Sequence, residues 1–261
     1  MQRDTLNGKV ALITAGTAGV GLRVAEQLAE AGALVVVNGR THTGGESALK
    51  RLEPISSNVR FMAGDVSDYN SIKSVVEQID QEYGRLDILV SAGAPGMPGP
   101  MPFSDMTPEQ LEQGVITRLF PRIFPVHAAI SALRKSKEAS VVMLTTDAAR
   151  HPTPGEAIVG AVGAGVIIIT KALAKELSAS GIRVNSVAMT ITSDTPSWDR
   201  AFGSESFQNK LFSKAVSRFP NGRPPNATEV ADAVVFLASS RATQITGQTI
   251  SVNGGLSFGG W

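Results

Sequence analysis

Thr14-Ala15-Gly16-Thr17-Ala18-Gly19-Val20-Gly21 lies between a short apolar run, Val10 to Thr14, and a helical stretch that opens Leu22-Arg23-Val24-Ala25. A strand, a tight turn of small residues and a helix N-terminus are what a pyrophosphate requires. Such a turn lets backbone touch the phosphates, and the helix aims free N–H groups and the positive end of its dipole at them. In this context the glycine pattern predicts a nucleotide-binding turn built by Thr14, Gly16, Thr17, Gly19, Val20 and Gly21.

Outward from this turn, short apolar runs alternate with amphipathic stretches. The runs are Val10 to Thr14, Leu34 to Asn38, Val59 to Ala63, Leu86 to Val90, Val141 to Thr145, Val184 to Val187 and Thr249 to Val252. Helical periodicity marks Arg23 to Ala31, Ser71 to Glu82, Pro108 to Leu133, Ala161 to Ala179 and Thr228 to Ala238. Strands this apolar are buried on both faces, which implies a parallel sheet with helices on each side. The expected fold is α/β, a doubly wound, Rossmann-type, three-layer single domain over residues 1–261.

With 261 residues, 43% of them hydrophobic, the chain can form one large core. A net charge of +1 gives no field that favours nucleic acid or an anionic membrane. Having no cysteine excludes disulfides, thiolate metal sites and a cysteine nucleophile, and no metal is expected. The polar start Met1-Gln2-Arg3-Asp4 lacks the apolar core of a signal peptide, so a cytoplasmic location is expected. The run Ala157 to Thr170 stops at Lys171, short of the roughly 20 residues of a bilayer span, and reads as a buried helix.

Two loops stand out. Ala94 to Pro108 holds five prolines with Met97, Met101 and Met106, and Met189 to Pro220 holds Trp198, Phe202, Phe207, Phe212 and Phe219. Loops at the carboxyl ends of strands line the ligand crevice of such a sheet, so these residues either suit a hydrophobic substrate or pack the loops down.

The turn resembles the Thr-Gly-x-x-x-Gly-x-Gly of the short-chain dehydrogenase/reductase superfamily. The resemblance extends through Gly64-Asp65-Val66, the shortened Ser91-Ala92-Gly93, Ile182-Arg183-Val184-Asn185-Ser186-Val187, Gly247-Gln248 and Val252-Asn253-Gly254-Gly255, nearly the whole chain. It implies that Asp65 and Val66 meet the adenine and that Ala92 and Gly93 lie along the cofactor. At the end of the second strand Gly39 stands where NAD-preferring members carry an Asp, and Arg40 follows. A basic residue there meets a 2′-phosphate, so NADP(H) is expected over NAD.

The family's catalytic set is largely missing. Its Tyr-x-x-x-Lys would fall on Val159 and Gly163, neither of which can exchange a proton. Thr146 takes the Ser position, Arg118 the Asn position, and Met189-Thr190 the Pro-Gly that seats the nicotinamide. The chain is similar to divergent members without Tyr-x-x-x-Lys, among them fungal proteins that reduce an imine with NADPH and assist a cycloaddition. The similarity lies in Pro152-Thr153-Pro154-Gly155, Gly160, Gly163-Ala164 and Arg118, although the Asp and Trp those proteins use would fall on Thr153 and Glu156.

Asp147, His151 and Glu156 lie between the fifth strand and the next helix; His151, as an imidazole, could act as a general acid, or be a solvated loop residue. Arg118 offers a fixed fork of donors to a carboxylate or phosphate, or makes a surface ion pair. Gly160, Gly163 and Gly165 each cost about 0.8–1 kcal/mol in a helix interior relative to Ala. The resemblance attributes them to close packing between subunits; the alternative is an apolar hollow at Val159 and Gly163 beside Arg118.

Three functions follow. One is an atypical NADP(H)-dependent oxidoreductase that reduces a hydrophobic imine, activated alkene or carbonyl, with Arg118 and Thr146 orienting it. Another is a pseudoenzyme paired with an active homologue. The third is a non-redox enzyme that reuses the pocket. A homodimer, homotetramer or hetero-oligomer is expected.

Overall fold

A computed structural model of the chain describes residues 6–93 and 96–258. Met1 to Asp4 and the first two residues of the proline-rich loop, Ala94 and Pro95, lie outside the described residues.

Seven strands form one parallel sheet: β1 Val10–Thr14, β2 Leu34–Gly39, β3 Val59–Ala63, β4 Ile88–Ser91, β5 Ala139–Thr146, β6 Ile182–Met189 and β7 Thr249–Val252. Their order is β3-β2-β1-β4-β5-β6-β7, so the direction of winding reverses between β1 and β4. That switch point opens a crevice at the carboxyl ends of the strands. Ala11 of β1 stands beside Val35 of β2 on one side and Ile88 of β4 on the other.

The helices are α1 Gly19–Glu30, α2 His42–Leu52, α3 Tyr69–Tyr83, α4 Pro108–Leu133, α5 Ala157–Leu177, α6 Pro196–Phe202, α7 Phe207–Val216 and α8 Ala227–Ala238. Alternate residues of each strand feed opposite cores. Ala11 and Ile13 pack with Val24, Leu28, Val230 and Val234 of α1 and α8. Val10 and Leu12 pack with Val75, Val126 and Val166 of α3, α4 and α5. The expected doubly wound fold is the observed one.

Several boundaries differ from the sequence reading. β4 starts at Ile88, two residues late, because Leu86 is already buried in the core before the ladder begins. α2 escaped notice because Gly44 and Gly45 interrupt its apolar pattern. Thr41 caps it by accepting from Gly44 N at 3.2 Å, and a side chain at Gly45 would overlap the Phe61 ring.

The segment Met189 to Pro220 is not a plain loop, since it contains α6 and α7, capped by Thr195 and Ser206. Its aromatics pack one another: Trp198, Phe202, Phe212 and Phe219 form a small core with Ile191 and Leu256. Phe207 instead covers Gly155.

The helix α5 runs on past Thr170, and Ala157–Ser180 is long and apolar enough for a membrane span, with mean hydropathy 2.1. Its buried residues Val162, Gly163, Val166, Ile167, Thr170, Ala174 and Leu177 form one face packed on the sheet. The reading as a buried helix holds for that face; on the other, Ile168 is 55% exposed.

Candidate active site

The nucleotide end of the crevice is made chiefly of main chain. Thr14 is fully buried and does not line the cleft; its Oγ1 donates to Val90 O at 3.4 Å and accepts from Ala92 N at 3.2 Å, tying β1 to β4 at the switch point. Gly16 also lies beneath the surface, its N donating to Asn38 O at 2.9 Å. Ala15, where the family has its first glycine, keeps a left-handed φ of 49°. A β-carbon on Gly21 would stand 2.6 Å from Ala15 O, so the helix enters too close to the turn for any side chain.

Thr17, Ala18, Gly19, Val20 and Gly21 line the cleft, with Ala92 and Gly93 across from them. α2, α3, α4, α6, α7 and α8 all have side-chain caps, whereas the N-cap of α1, Ala18, offers none and no acid lies in its first turn. Its orphan N–H groups therefore suit an anion.

At the end of β2, Arg40 lines the cleft and is exposed. A β-carbon on Gly39 would lie 2.7 Å from Thr17 Cγ2, which leaves no room for the Asp of NAD-preferring members unless Thr17 moves. Asp65 turns its carboxylate to Ser67 N, 2.8 Å away, while Gly64 and Val66 on either side of it line the cleft. These residues fit NADP(H): uncapped helix donors for the pyrophosphate and a guanidinium for the 2′-phosphate, with no carboxylate against either.

At the other end of the same cleft, of about 430 Å³ in all, Thr145, Thr146, Val159, Val162, Gly163, Val166 and Met189 line the wall. The glycines of α5 are explained inside the subunit. A β-carbon on Gly163 would lie 2.5 Å from Thr146 Cγ2, and one on Gly160 would lie 2.6 Å from Ala148 O. Thr145 Oγ1 also donates to Gly163 O at 3.1 Å. Packing between subunits therefore does not account for Gly160 and Gly163; only Gly165 faces outward, with nothing within 4 Å. Thr146 Oγ1 accepts from Ala148 N at 3.2 Å, capping the single 3-10 turn Asp147–Ala149.

Arg118 lines the cleft but its donors are engaged. Nη1 donates to Met97 O at 3.2 Å and Gly114 O at 3.1 Å, and Nη2 donates to Pro98 O, so Arg118 staples the proline-rich loop to α4. These bonds, rather than the surface ion pair expected of it, hold Arg118, and they occupy Nη1 and Nη2 of the fork expected to face a substrate. Burial lowers its pKa, and the charge of Glu156 opposes that shift. Glu156, at the N-cap of α5 without capping it, is pushed up to about 7 by burial, against the pull of Arg118.

Two expected proton donors are elsewhere. Asp147 is buried and holds the C-terminal segment, accepting from Ser251 Oγ at 3.2 Å, from Asn253 Nδ2 at 3.0 Å and from Ser257 Oγ. His151 is exposed, and neither residue lines the cleft. The family-like Val252-Asn253-Gly254-Gly255 thus explains why Asp147 is unavailable for chemistry.

The residue that sequence reasoning missed is Arg122, one turn after Arg118 on α4. Its Nε donates to Leu144 O at 2.9 Å, its Nη1 to Arg118 O at 2.6 Å, and its carbonyl accepts from Ser91 Oγ at 2.8 Å. It lines the cleft, and burial, then the charge of Arg118, brings its pKa to about 10. The signal for it was helical spacing: residues four apart share a face. Arg200 of α6, exposed and donating to Ser197 Oγ at 2.9 Å, was missed as well.

A parallel sheet whose switch point opens on a glycine turn and an uncapped helix belongs to the doubly wound nucleotide-binding folds. The chain belongs to the short-chain dehydrogenase/reductase superfamily, a family of NAD(P)-binding oxidoreductases. A family model described as enoyl-(acyl carrier protein) reductase matches residues 14–257. The chain is 32% identical over 251 residues to a 3-oxoacyl-[acyl-carrier-protein] reductase FabG of Thermotoga maritima, covering 96% of this chain and 98% of that one. It is 33% identical over 252 residues to an uncharacterized oxidoreductase, YhdF, of Bacillus subtilis, covering 96% and 84%. A solved short chain oxidoreductase of Pseudomonas aeruginosa PAO1, described as containing an atypical catalytic center, superposes with TM-score 0.88 at 28% identity, over 97% of this chain and 98% of that one. Its NADPH-bound form gives TM-score 0.87 at 28% identity, over 97% and 98%.

Proposed function

We propose that this chain is an NADP(H)-dependent oxidoreductase that reduces a small, largely apolar molecule through an imine, activated alkene or activated carbonyl, without the Ser-Tyr-Lys chemistry of its family. One observation carries the reading: a single cleft runs from Arg40 past the turn to Thr146, Val159 and Gly163, so the reacting end is open rather than filled. NADPH, when bound, supplies a hydride to the acceptor carbon; the π electrons move to the adjacent atom, and water supplies the proton. The chain's own part is to bind the nucleotide, orient the acceptor against Thr146 and the α5 wall, and hold its apolar body against Val159, Val162 and Val166 while the reacting atom stays open to water.

A second reading, a degenerate subunit paired with an active homologue, is favoured by the engagement of Arg118 with loop carbonyls. Both readings include assembly through α4 and α5 as a dimer or tetramer. Support comes from Ile116, 51% exposed, and Ile168, and from the hollow between Tyr69, Ile123, Phe124, Ile169 and Leu173. Nothing in the reading calls for nucleic acid or a membrane, and it places the protein in the cytoplasm.

The test is NADPH oxidation, followed by absorbance, with a panel of cyclic imines, enones and nitroalkenes. Turnover of at least one class supports the enzyme. No turnover with any class, together with light scattering that shows a monomer which pairs with a co-expressed homologue, supports the subunit.

A further inference from the structure

We propose that the substrate is an anion, a small apolar carboxylate whose carboxylate group docks on the Arg122 guanidinium beside Thr146, Val159 and Gly163. The inference rests on the oxidoreductase reading and narrows its substrate class. Its starting point is the charge of the cleft: Arg40, Arg118, Arg122 and Arg200 line it, and among the described residues no Asp or Glu does.

These four cations do not share one task. Arg40 and Arg200 are exposed at the nucleotide end, beside the glycine turn and α6. Arg118 faces the carbonyls of Met97, Pro98 and Gly114. Arg122 remains, tied to the carboxyl ends of β4 and β5 through Ser91 Oγ and Leu144 O and packed against Gly93.

Its side chain is already positioned. Two hydrogen bonds, to Leu144 O and Arg118 O, fix the guanidinium plane, and a β-carbon on Gly93 would stand 2.8 Å from its Cζ, so the group lies flat against that peptide. Both acceptors are neutral carbonyls, and Nη2 has no partner among the described residues. A guanidinium held in a fixed plane with one free edge is suited to a carboxylate, since that pair forms short, charge-assisted bonds and loses little side-chain entropy.

The electrostatics agree. The positive charge of Arg118, one helical turn away, disfavours the charge on Arg122, and an anion would offset both. The same field repels a cationic iminium, so a neutral or anionic acceptor is favoured over a protonated imine. The neighbouring wall of Leu144, Val159, Val162, Val166 and Met189 is apolar, which gives the carboxylate an apolar body.

The experiment is calorimetric titration of the full chain with octanoate and with octanamide, each with and without saturating NADP⁺. These probes have the same chain length and differ in charge. Octanoate is expected to bind at least about tenfold more tightly, the scale of one charge-assisted contact. Arg122→Gln should remove that preference, while NADPH affinity stays within about twofold of the parent. Equal affinities in the parent, or a preference that survives Arg122→Gln, overturns the proposal. Octanoate that displaces NADP⁺ also overturns it, because Arg122 would then serve a nucleotide phosphate.

Should Arg122→Gln fail to fold, Arg122→Lys keeps the charge and loses the fork. Several-fold weaker octanoate binding with unchanged octanamide binding supports the proposal, and unchanged octanoate binding overturns it. The two readings fail separately. Reduction of an activated alkene without carboxylate preference removes the anion and leaves the oxidoreductase. Carboxylate preference without reduction of any acceptor does the reverse.

Discussion

At the end of the cleft formed by β1, β2 and α1, the groups that face a ligand come mostly from one continuous stretch, Ala15 to Gly21, with charge added by Arg40 and, from α6, by Arg200. At the end formed by β4, β5, α4 and α5, they are side chains from four separate segments, among them Arg122, Thr146 and Val159. Backbone geometry tolerates substitution around it, so the turn persists even with Ala15 in a glycine's conformation. A constellation of side chains has no such buffer: Arg118 fastens a loop, and Asp147 anchors the C-terminal segment. One cleft thus combines a half built mainly from backbone with a half built from side chains.

The largest effect that tests this contrast is on ordinary ketones. Positioned acid/base catalysis contributes about 10² to 10⁴ in rate, so simple ketones should turn over slower than activated acceptors by about that factor, measured by NADPH oxidation. Val159→Tyr with Gly163→Lys should not recover ketone turnover, because a β-carbon at 163 meets Thr146 Cγ2 at 2.5 Å. Ketone activity restored in that variant would show that the reacting half differs from its family by side chains alone.

The next effect is on stability and comes from Glu156. Its folded pKa of about 7 lies above the ordinary glutamate value of 4.5, so the folded chain binds this proton more tightly than the unfolded one. The stabilisation is complete below about pH 4.5 and is lost as pH rises through about 7, up to about 3 kcal/mol in all. Melting temperatures should therefore fall between about pH 5 and pH 8, and Glu156→Gln should flatten that part of the profile. A profile unchanged by the substitution would mean that Glu156 titrates as a solvated residue.

At the preserved end, Arg40→Ala should weaken NADPH binding by roughly 1.5–3 kcal/mol and leave NADH binding nearly unchanged. Equal affinities for the two nucleotides in the parent would remove Arg40 from the binding half. The smallest effect concerns Ala15. Left-handed φ costs a non-glycine residue about 1–2 kcal/mol, while glycine adds about 0.4–1 kcal/mol of unfolded-state entropy. Ala15→Gly should therefore stabilise the fold by about 0.5–1 kcal/mol in urea unfolding, with nucleotide affinity preserved.

What was legible in the sequence follows the same division. β1 was readable to the residue because burial on both faces makes it almost continuously apolar, and the edge strands β3 and β7, only partly buried, were readable from their short runs between turn residues. The 26-residue α4 was also readable to the residue, and the structure keeps it helical through Pro121 and Pro125. Short-range cues for α6 and α7 lay in Thr195-Pro196 and Ser206, yet helices of 7 and 10 residues are too short to build a clear apolar period. Arg122 was not legible as a site residue, because its importance arises from its distance to Leu144 O, 22 residues away in sequence. The same holds for Asp147, whose partners lie more than 100 residues on.

The close seating of α5 on β5 bears on the history that this chain can have. With Gly160 and Gly163 pressed against Ala148 O and Thr146 Cγ2, and Gly163 O engaged by Thr145, the helix cannot move outward without losing that hydrogen bond and the burial of Val162 and Val166. A side chain at 163 must therefore come after, or together with, a change that makes room at Thr146, whereas 159, on the cleft wall, can change by itself. The order of substitution is thereby constrained: the seating of α5 admits change on its cleft side and resists it on its sheet side.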